Sequence, residues 1–333
     1  PTKLHGYTSA SGDEEVKQAI ASYLNKTYNA NANYKDIYMT CGAAASLAIT
    51  FNALLNKDDE VIVFAPFFPE YKVFVEKAGG IIDIVKSDKD FQIDFDDLDK
   101  HINEKTKIVV INSPNNPTGV IYTEENIKKL AKTLEEKSKL YNHPIYLVSD
   151  EPYRELIYTD TLYPFVTKYY NNSIVCYSFS KSLSLPGERI GYILLSSDMD
   201  NKENVYSAVC GAGRSLGYVC APAIFQYMVP YCLGYTSDLS AYKKNLQDLK
   251  EMLETIGYDI VKPEGAFYMF VKALEEDANK FSEMAKKFNL LLVPSDSFGV
   301  KGYVRIAYCV TNDQIKASKV AFMKLYNSYK EGK

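Results

Sequence analysis

The sequence predicts an α/β fold built on a largely parallel sheet. Three observations predict it: short runs of consecutive apolar residues, helical periodicity between them, and turn-forming residues where each run ends. Consecutive apolar positions suit a strand buried on both faces, as in a parallel sheet covered by helices. After Ser196 the pattern changes, which predicts a second, smaller unit.

Ser11-Gly12-Asp13 suits a helix N-cap, and Val16, Ile20 and Leu24 recur at helical spacing as far as Tyr28. Ile37 to Thr40 reads as a strand broken by Cys41-Gly42, and Ala43 to Leu55 as a helix with small residues in its first turn. That combination leaves backbone N–H groups facing open space, which favours a phosphate; close helix packing explains the same residues equally well. Val61 to Ala65 is the next strand, followed by the aromatic turn Pro66-Phe67-Phe68-Pro69-Glu70-Tyr71 and a helix to Lys77. Ile81 to Val85 and Lys107 to Asn112 continue the strands, with a short helix between them opened by the acidic stretch Asp94 to Asp99.

Ser113-Pro114-Asn115-Asn116-Pro117-Thr118-Gly119 continues neither helix nor strand. It lies at the carboxyl end of a strand, where open α/β sheets place their ligands. Thr123 to Tyr141 is an amphipathic helix with a Thr-Glu-Glu start. The strand Ile145 to Ser149 ends in Asp150-Glu151-Pro152-Tyr153. An aspartate at the tip of a buried strand needs a partner, and a cationic ring nitrogen would be one. Ile174 to Tyr177 leads into Ser178-Phe179-Ser180-Lys181, with Arg189 further on, and Tyr192 to Ser196 returns as a strand.

Beyond it, Val205 to Val209 and Ala221 to Tyr231 read as helices on either side of Gly211 to Gly217, a flexible loop carrying Arg214. Asp238 to Ile256 is a long helix with Leu239, Tyr242, Leu246, Leu249 and Leu253 on one face. Strands near Ala266 to Val271, Leu290 to Val293 and Tyr303 to Ala307, with helices Asp277 to Phe288 and Asn312 to Ser328, make the smaller unit. The expected division is residues 1–240 and 241–333.

With 333 residues, 47% of them apolar, the chain can bury a sizeable core in roughly two domains. A net charge of -4 offers no basic face to nucleic acid, and no apolar run nears the roughly 18 residues of a membrane span. The six cysteines form no C-x-x-C pair and the three histidines are far apart, which argues against a disulfide framework or a metal site. No signal-like segment opens the sequence, so a cytoplasmic setting is expected. The chain starts at Pro1 rather than methionine, so a preceding segment is expected to be missing.

Basic charge is carried almost wholly by lysine, leaving Arg154, Arg189, Arg214 and Arg305 as the arginines. Arginine offers a planar, permanently charged fork, so each is a candidate anion site, with an ion pair as the simpler alternative. Lys181 lies among hydroxyls at the end of an apolar strand. An amine in a dry site can condense with an aldehyde, and Ser178, Ser180 and Arg189 are candidate donors to an anionic group beside it. A solvated lysine in a serine-rich turn is the plainer reading.

Taken together and in this order, the Phe68 turn, the Asn116 loop, Asp150 to Tyr153 and Ser178 to Gly191 resemble the class I/II aminotransferases of pyridoxal phosphate fold type I, bacterial aspartate aminotransferases in particular. The resemblance runs from Tyr7 to the last helix. It implies a large domain with a seven-stranded, mostly parallel sheet sandwiched by helices, and a smaller α+β C-terminal domain. It implies pyridoxal 5'-phosphate, with Lys181 as the Schiff-base lysine and Asp150 paired to the ring nitrogen. Asn116 and Tyr153 would hold the ring's phenolic oxygen and Phe68 would stack on the ring. Ala43, Ala44, Ser178, Ser180 and Arg189 would hold the phosphate, with backbone amides contributing more because Ala43 and Ala44 replace the hydroxyl residues of many relatives.

Arg305, with Asn116, would bind the substrate's α-carboxylate. Tyr7 would reach the phosphate of a neighbouring subunit, implying a homodimer with shared active sites. Arg214 lies near the position of a partner-derived arginine that takes a distal carboxylate. The implied reaction is ping-pong transamination between an L-amino acid, aspartate or glutamate first, and a 2-oxo acid, with Lys181 as the proton carrier. Alternatives are a carbon–sulfur β-lyase acting on cystathionine or cysteine, an aminotransferase for aromatic or alanine-type substrates, and a non-catalytic regulator built on the same body.

Overall fold

The computed structural model describes residues 2–330. Seven strands form the large sheet: β1 (Ile37–Thr40), β2 (Glu60–Ala65), β3 (Ile81–Lys86), β4 (Thr106–Asn112), β5 (Tyr146–Asp150), β6 (Ser173–Ser178) and β7 (Gly191–Leu195). Their order is β1-β7-β6-β5-β4-β2-β3. Strands β3, β2, β4, β5 and β6 pair in parallel, while β7 runs antiparallel to both β6 and β1. The expected mostly parallel sheet is therefore present.

The apolar runs are buried on both faces because side chains alternate along each strand. Ile62, Val109, Ile111, Leu147 and Val175 pack with residues of the helices Glu14–Tyr28 and Glu124–Tyr141. Val61, Val63, Ile108, Val110, Val148 and Ile174 pack on the other side with the helices Ala43–Leu54 and Lys202–Ser215. Asp13 caps the first of these helices and Thr123 another, each accepting a backbone N–H three residues on. Register then sets Asn112 of β4 opposite Asp150 of β5, and Asp150 opposite Cys176 of β6. Polar residues at these strand ends are thereby gathered at one edge of the sheet.

A second, antiparallel sheet has β8 (Tyr268–Lys272), β9 (Val293–Pro294) and β10 (Tyr303–Ala307) in the order β8-β10-β9. Its core includes Leu246, Leu249 and Leu253 of the helix Leu239–Ile256, with Phe281, Phe322 and Leu325. Tyr153 and Leu156, just after β5, join that same core. Among the described residues, no helix is long and apolar enough to cross a membrane.

Three expectations are corrected. Gly211 to Gly217 is not a flexible loop, because the helix Lys202–Ser215 runs through it and carries Arg214 in its last turn. Gly213 acts there as a spacer: a Cβ at that position would sit 2.3 Å from the Tyr38 hydroxyl oxygen. The strand expected at Leu290 to Val293 shrinks to Val293–Pro294. The Leu292 carbonyl is taken by the Ser282 hydroxyl (2.7 Å), and Pro294 has no N–H to offer the ladder.

Arg154 is not a ligand-binding arginine, since its anions are internal. Nη1 donates to Glu151 Oε2 (2.8 Å), Nη2 donates to the Tyr192 hydroxyl (2.9 Å) and pairs with Glu155 (3.3 Å). The Tyr177 and Tyr28 rings lie 4.3 and 4.9 Å from its guanidinium carbon. Removing one member of a fully buried pair is costly; Glu151→Ala leaves Arg154 with the longer Glu155 contact as its only ion pair among the described residues, so the loss should lie toward the lower end of about 3–5 kcal/mol. A lowered urea midpoint, well beyond that of an exposed pair such as Lys72–Glu76, checks this.

Candidate active site

β6 ends at Ser178, whose hydroxyl oxygen accepts the Ser180 N–H (3.2 Å) and caps the short helical turn Phe179–Ser182. That turn presents Lys181, partly buried, with its amine 5.7 Å from the Phe267 ring centroid. Burial pushes the Lys181 ammonium below its usual pKa; Cys309 opposes this, and the positive charges of Arg189 and Arg305 add lesser downward pushes. Arg189 holds a left-handed backbone (φ 51°), and its Nη1 donates to the Pro186 carbonyl (2.8 Å) and the Ser180 hydroxyl (3.3 Å). Gly42, at φ 93°, is needed for the backbone, and a Cβ there would lie 2.7 Å from Arg189 Nη2, displacing the guanidinium from its present position. Directly after Gly42 the helix Ala43–Leu54 begins without a side-chain cap. Its first N–H groups therefore remain free of a side-chain acceptor, beside the same arginine and serines, a donor set that suits an anion.

Asp150 is buried at the end of β5. Oδ2 accepts the Tyr71 hydroxyl (2.6 Å) and lies 3.5 Å from Asn112 Nδ2, which also donates to the Asp150 carbonyl (2.9 Å). Oδ1 is buried with no protein partner. Burial raises the carboxyl to about 7, opposed by the Tyr71 hydrogen bond and assisted by the charge of Glu151. Asn112 Oδ1 in turn accepts the Asn116 N–H (2.7 Å), and Asn116 Oδ1 accepts Arg305 Nη1 (2.8 Å). The Tyr153 hydroxyl lies 3.2 Å from that of Tyr268. Phe68 meets Tyr71 edge to face, with centroids 5.6 Å apart.

A cavity of about 340 Å³ collects these groups. All the residues carried over from the resemblance line it except Tyr7 and Arg214. Tyr7 is 96% exposed, and Arg214 is exposed at its helix end with no ion pair among the described residues. Sequence reasoning missed Tyr71, Asn112 and Tyr268. Asn112 carried the same signal as Asp150, a polar residue closing an apolar strand. Tyr71 and Tyr268 carried none, because aromatic residues are common in turns and strands.

The cleft, lysine and flanking anion donors at the carboxyl edge of a mostly parallel sheet define a fold type I aminotransferase. The family model described as aminotransferase class I and II matches residues 1–318, and the chain belongs to that family. It is similar to the crystal structure of an amino transferase from Eubacterium rectale, with 56% identity and a TM-score of 0.97 over 98% of this chain and 83% of that one. The aspartate aminotransferase of Thermotoga maritima is 31% identical over 315 residues, covering 93% of this chain and 80% of that protein. The structure of an aromatic aminotransferase from Pyrococcus horikoshii is 26% identical with a TM-score of 0.89, over 99% of this chain and 86% of the other. The chain is thus an aminotransferase, of a family that implies pyridoxal phosphate; neither the lyase nor the regulator alternative is favoured.

Because Asp150 is raised in the folded state, the unfolded chain gives up this proton from about pH 4 while the folded chain keeps it to about 7. Stability of the cofactor-free protein should therefore fall as pH rises through that window, by an amount on the order of a few kcal/mol. Asp150→Asn removes the effect, so its melting temperature should drop less than wild type between pH 5 and 8. Parallel curves for the two proteins would count against it.

Proposed function

We propose that this cleft binds pyridoxal 5'-phosphate and transfers amino groups by a ping-pong route between an L-amino acid, aspartate or glutamate first, and a 2-oxo acid. The observation that carries it is Asp150 Oδ1, a buried carboxylate oxygen without a protein partner in the cavity that Lys181 also lines. A protonated ring nitrogen supplies the missing partner, and a cation there favours the ionised carboxylate. The donor set also fits the rest of the group. Ala43 and Ala44 amides, Ser178, Ser180 and Arg189 would hold the phosphate, Phe68 would cover the ring face, and Asn116 and Tyr153 would hold the phenolic oxygen.

When bound, pyridoxal phosphate supplies an aldehyde that condenses with amines and a ring that accepts the electrons of the substrate's Cα–H bond. Lys181, its basicity reduced chiefly by burial and further by two arginines, would accept the proton from Cα and return it to the carbon on the far side of the substrate's nitrogen, two atoms away. A base so placed contributes about 10²- to 10⁴-fold. Arg305 and Asn116 orient the substrate by its α-carboxylate. Tyr7 and Arg214, exposed in one protomer, act across a homodimer, Tyr7 on the neighbour's phosphate and Arg214 on a distal carboxylate. The free state of all six cysteines supports a cytoplasmic setting. Residues 1–240 form the cofactor-binding unit and 241–333 the smaller one.

Reduction of the loaded enzyme with borohydride, followed by peptide mapping, should label Lys181; a label on any other lysine overturns the assignment. Lys181→Ala should lower turnover by about 10²-fold or more. Arg214→Ala should raise KM for aspartate and glutamate by about tenfold or more, the loss of a charge-assisted contact, while sparing alanine and aromatic substrates. An equal loss for every substrate in an amino-acid panel would sink the distal-carboxylate role.

A further inference from the structure

Two arginines in this protein sit among aromatic rings, with opposite consequences. Arg154 lies 4.3 Å from the Tyr177 ring centroid and Arg305 lies 4.4 Å from that of Tyr268. Arg154 is also neutralised by Glu151 and Glu155. Arg305 pairs with no carboxylate among the described residues: Nη1 donates to Asn116 Oδ1 (2.8 Å), and Nε is buried without a partner. Ring faces attract a cation without cancelling its charge, so Arg305 is held in place while still able to bind an anion.

The strand register explains how. Arg305 of β10 stands opposite Phe270 of β8, and Tyr268 is two residues along β8 on the same face. Diagonal neighbours on one face of a sheet lie within reach of long side chains. The Phe298 ring lies 5.2 Å from the guanidinium carbon, and the Phe298 carbonyl accepts the Phe67 N–H (3.0 Å), tying this ring to the turn that carries Phe68 and Tyr71. The Tyr268 hydroxyl, meanwhile, is 3.2 Å from the Tyr153 hydroxyl. One side chain therefore touches both the candidate carboxylate-binding arginine and a candidate ring-binding tyrosine.

We propose that Tyr268 is a positioning residue for substrate carboxylate binding. Its ring, with that of Phe298, holds the Arg305 guanidinium un-neutralised with Nε–H free. The inference rests on the reading that Arg305 grips the substrate's α-carboxylate.

The test uses the loaded enzyme and maleate, an unreactive carboxylate, with binding followed by calorimetry and by the visible absorbance of the bound cofactor. Tyr268→Phe keeps the ring and should hold maleate with a Kd within about twofold of wild type, whereas Tyr268→Leu should weaken it about tenfold. KM for the amino acid should rise with the Leu variant while kcat changes by less than about threefold, the split expected of ground-state and transition-state binding lost together. Phe298→Leu should give a smaller loss, about threefold. If Tyr268→Leu fails to fold, Tyr268→Met is the second non-aromatic variant. Arg305→Gln separates the two ideas. Unchanged maleate binding in that variant defeats the carboxylate reading itself. Weakened binding there, with Tyr268→Leu and →Met behaving as wild type or Tyr268→Phe losing as much as they do, overturns the positioning role alone.

Discussion

The structure of the cleft depends on one buried carboxylate. Asp150 ends a strand whose neighbours on both sides are also buried, so water cannot solvate it and the protein must. It does so by half. The Tyr71 hydroxyl and, more distantly, the Asn112 amide serve Oδ2, and Oδ1 is left without a protein donor. A fully satisfied carboxylate would be a structural feature; a half-satisfied one costs stability that only a further partner returns. The neighbouring contacts propagate from it, since Asn112 also takes the Asn116 N–H and Asn116 takes Arg305.

This chain of contacts crosses from the large sheet to the small one, so the relative placement of the two matters. Backbone bonds secure it. The Gly119 carbonyl accepts N–H groups from both Glu264 and Gly265 (2.9 Å each), and Ala266 N–H donates to the Leu156 carbonyl (2.9 Å). Gly265 is required at this seam, because a Cβ there would stand 2.6 Å from the Leu156 carbonyl oxygen and 2.7 Å from Pro114. The Asn116 loop and the approach to β8 are thus stitched together, and Arg305 reaches Asn116 across the seam rather than by a long flexible connection.

Much of this was legible in the sequence, and for a physical reason. Chemistry-bearing residues at the ends of apolar strands, such as Asp150 and Ser178, stand out against their surroundings, and parallel strands place such ends along one edge. Lys181 and Arg189 gained their meaning only in company with those residues. What was not legible depends on contacts between distant segments. Tyr71 and Tyr268 look like ordinary aromatic packing until Asp150 and Arg305 are seen beside them. Gly213 looked like a loop residue because glycine weakens helices, yet contact with Tyr38 demands it within one.

The arginines show the limit most clearly, because a shared chemical property served different ends. Each was singled out as a permanently charged fork in a lysine-rich chain. Arg154 satisfies that fork with the chain's own glutamates and becomes part of the core. Arg189 satisfies part of it with the Pro186 carbonyl and the Ser180 hydroxyl, neutral acceptors that leave its charge intact beside Gly42. Arg305 relies on rings and one amide oxygen. The distinction between a structural and a ligand-binding arginine thus lies in whether a carboxylate is already present, and local sequence does not decide it: Arg154 is flanked by Glu151 and Glu155, but Arg189 also follows Glu188 without an ion pair to it among the described residues. Only the fold determines which charges meet, and here it leaves two cations that line the Lys181 cavity, Arg189 and Arg305, without a counter-charge among the described residues.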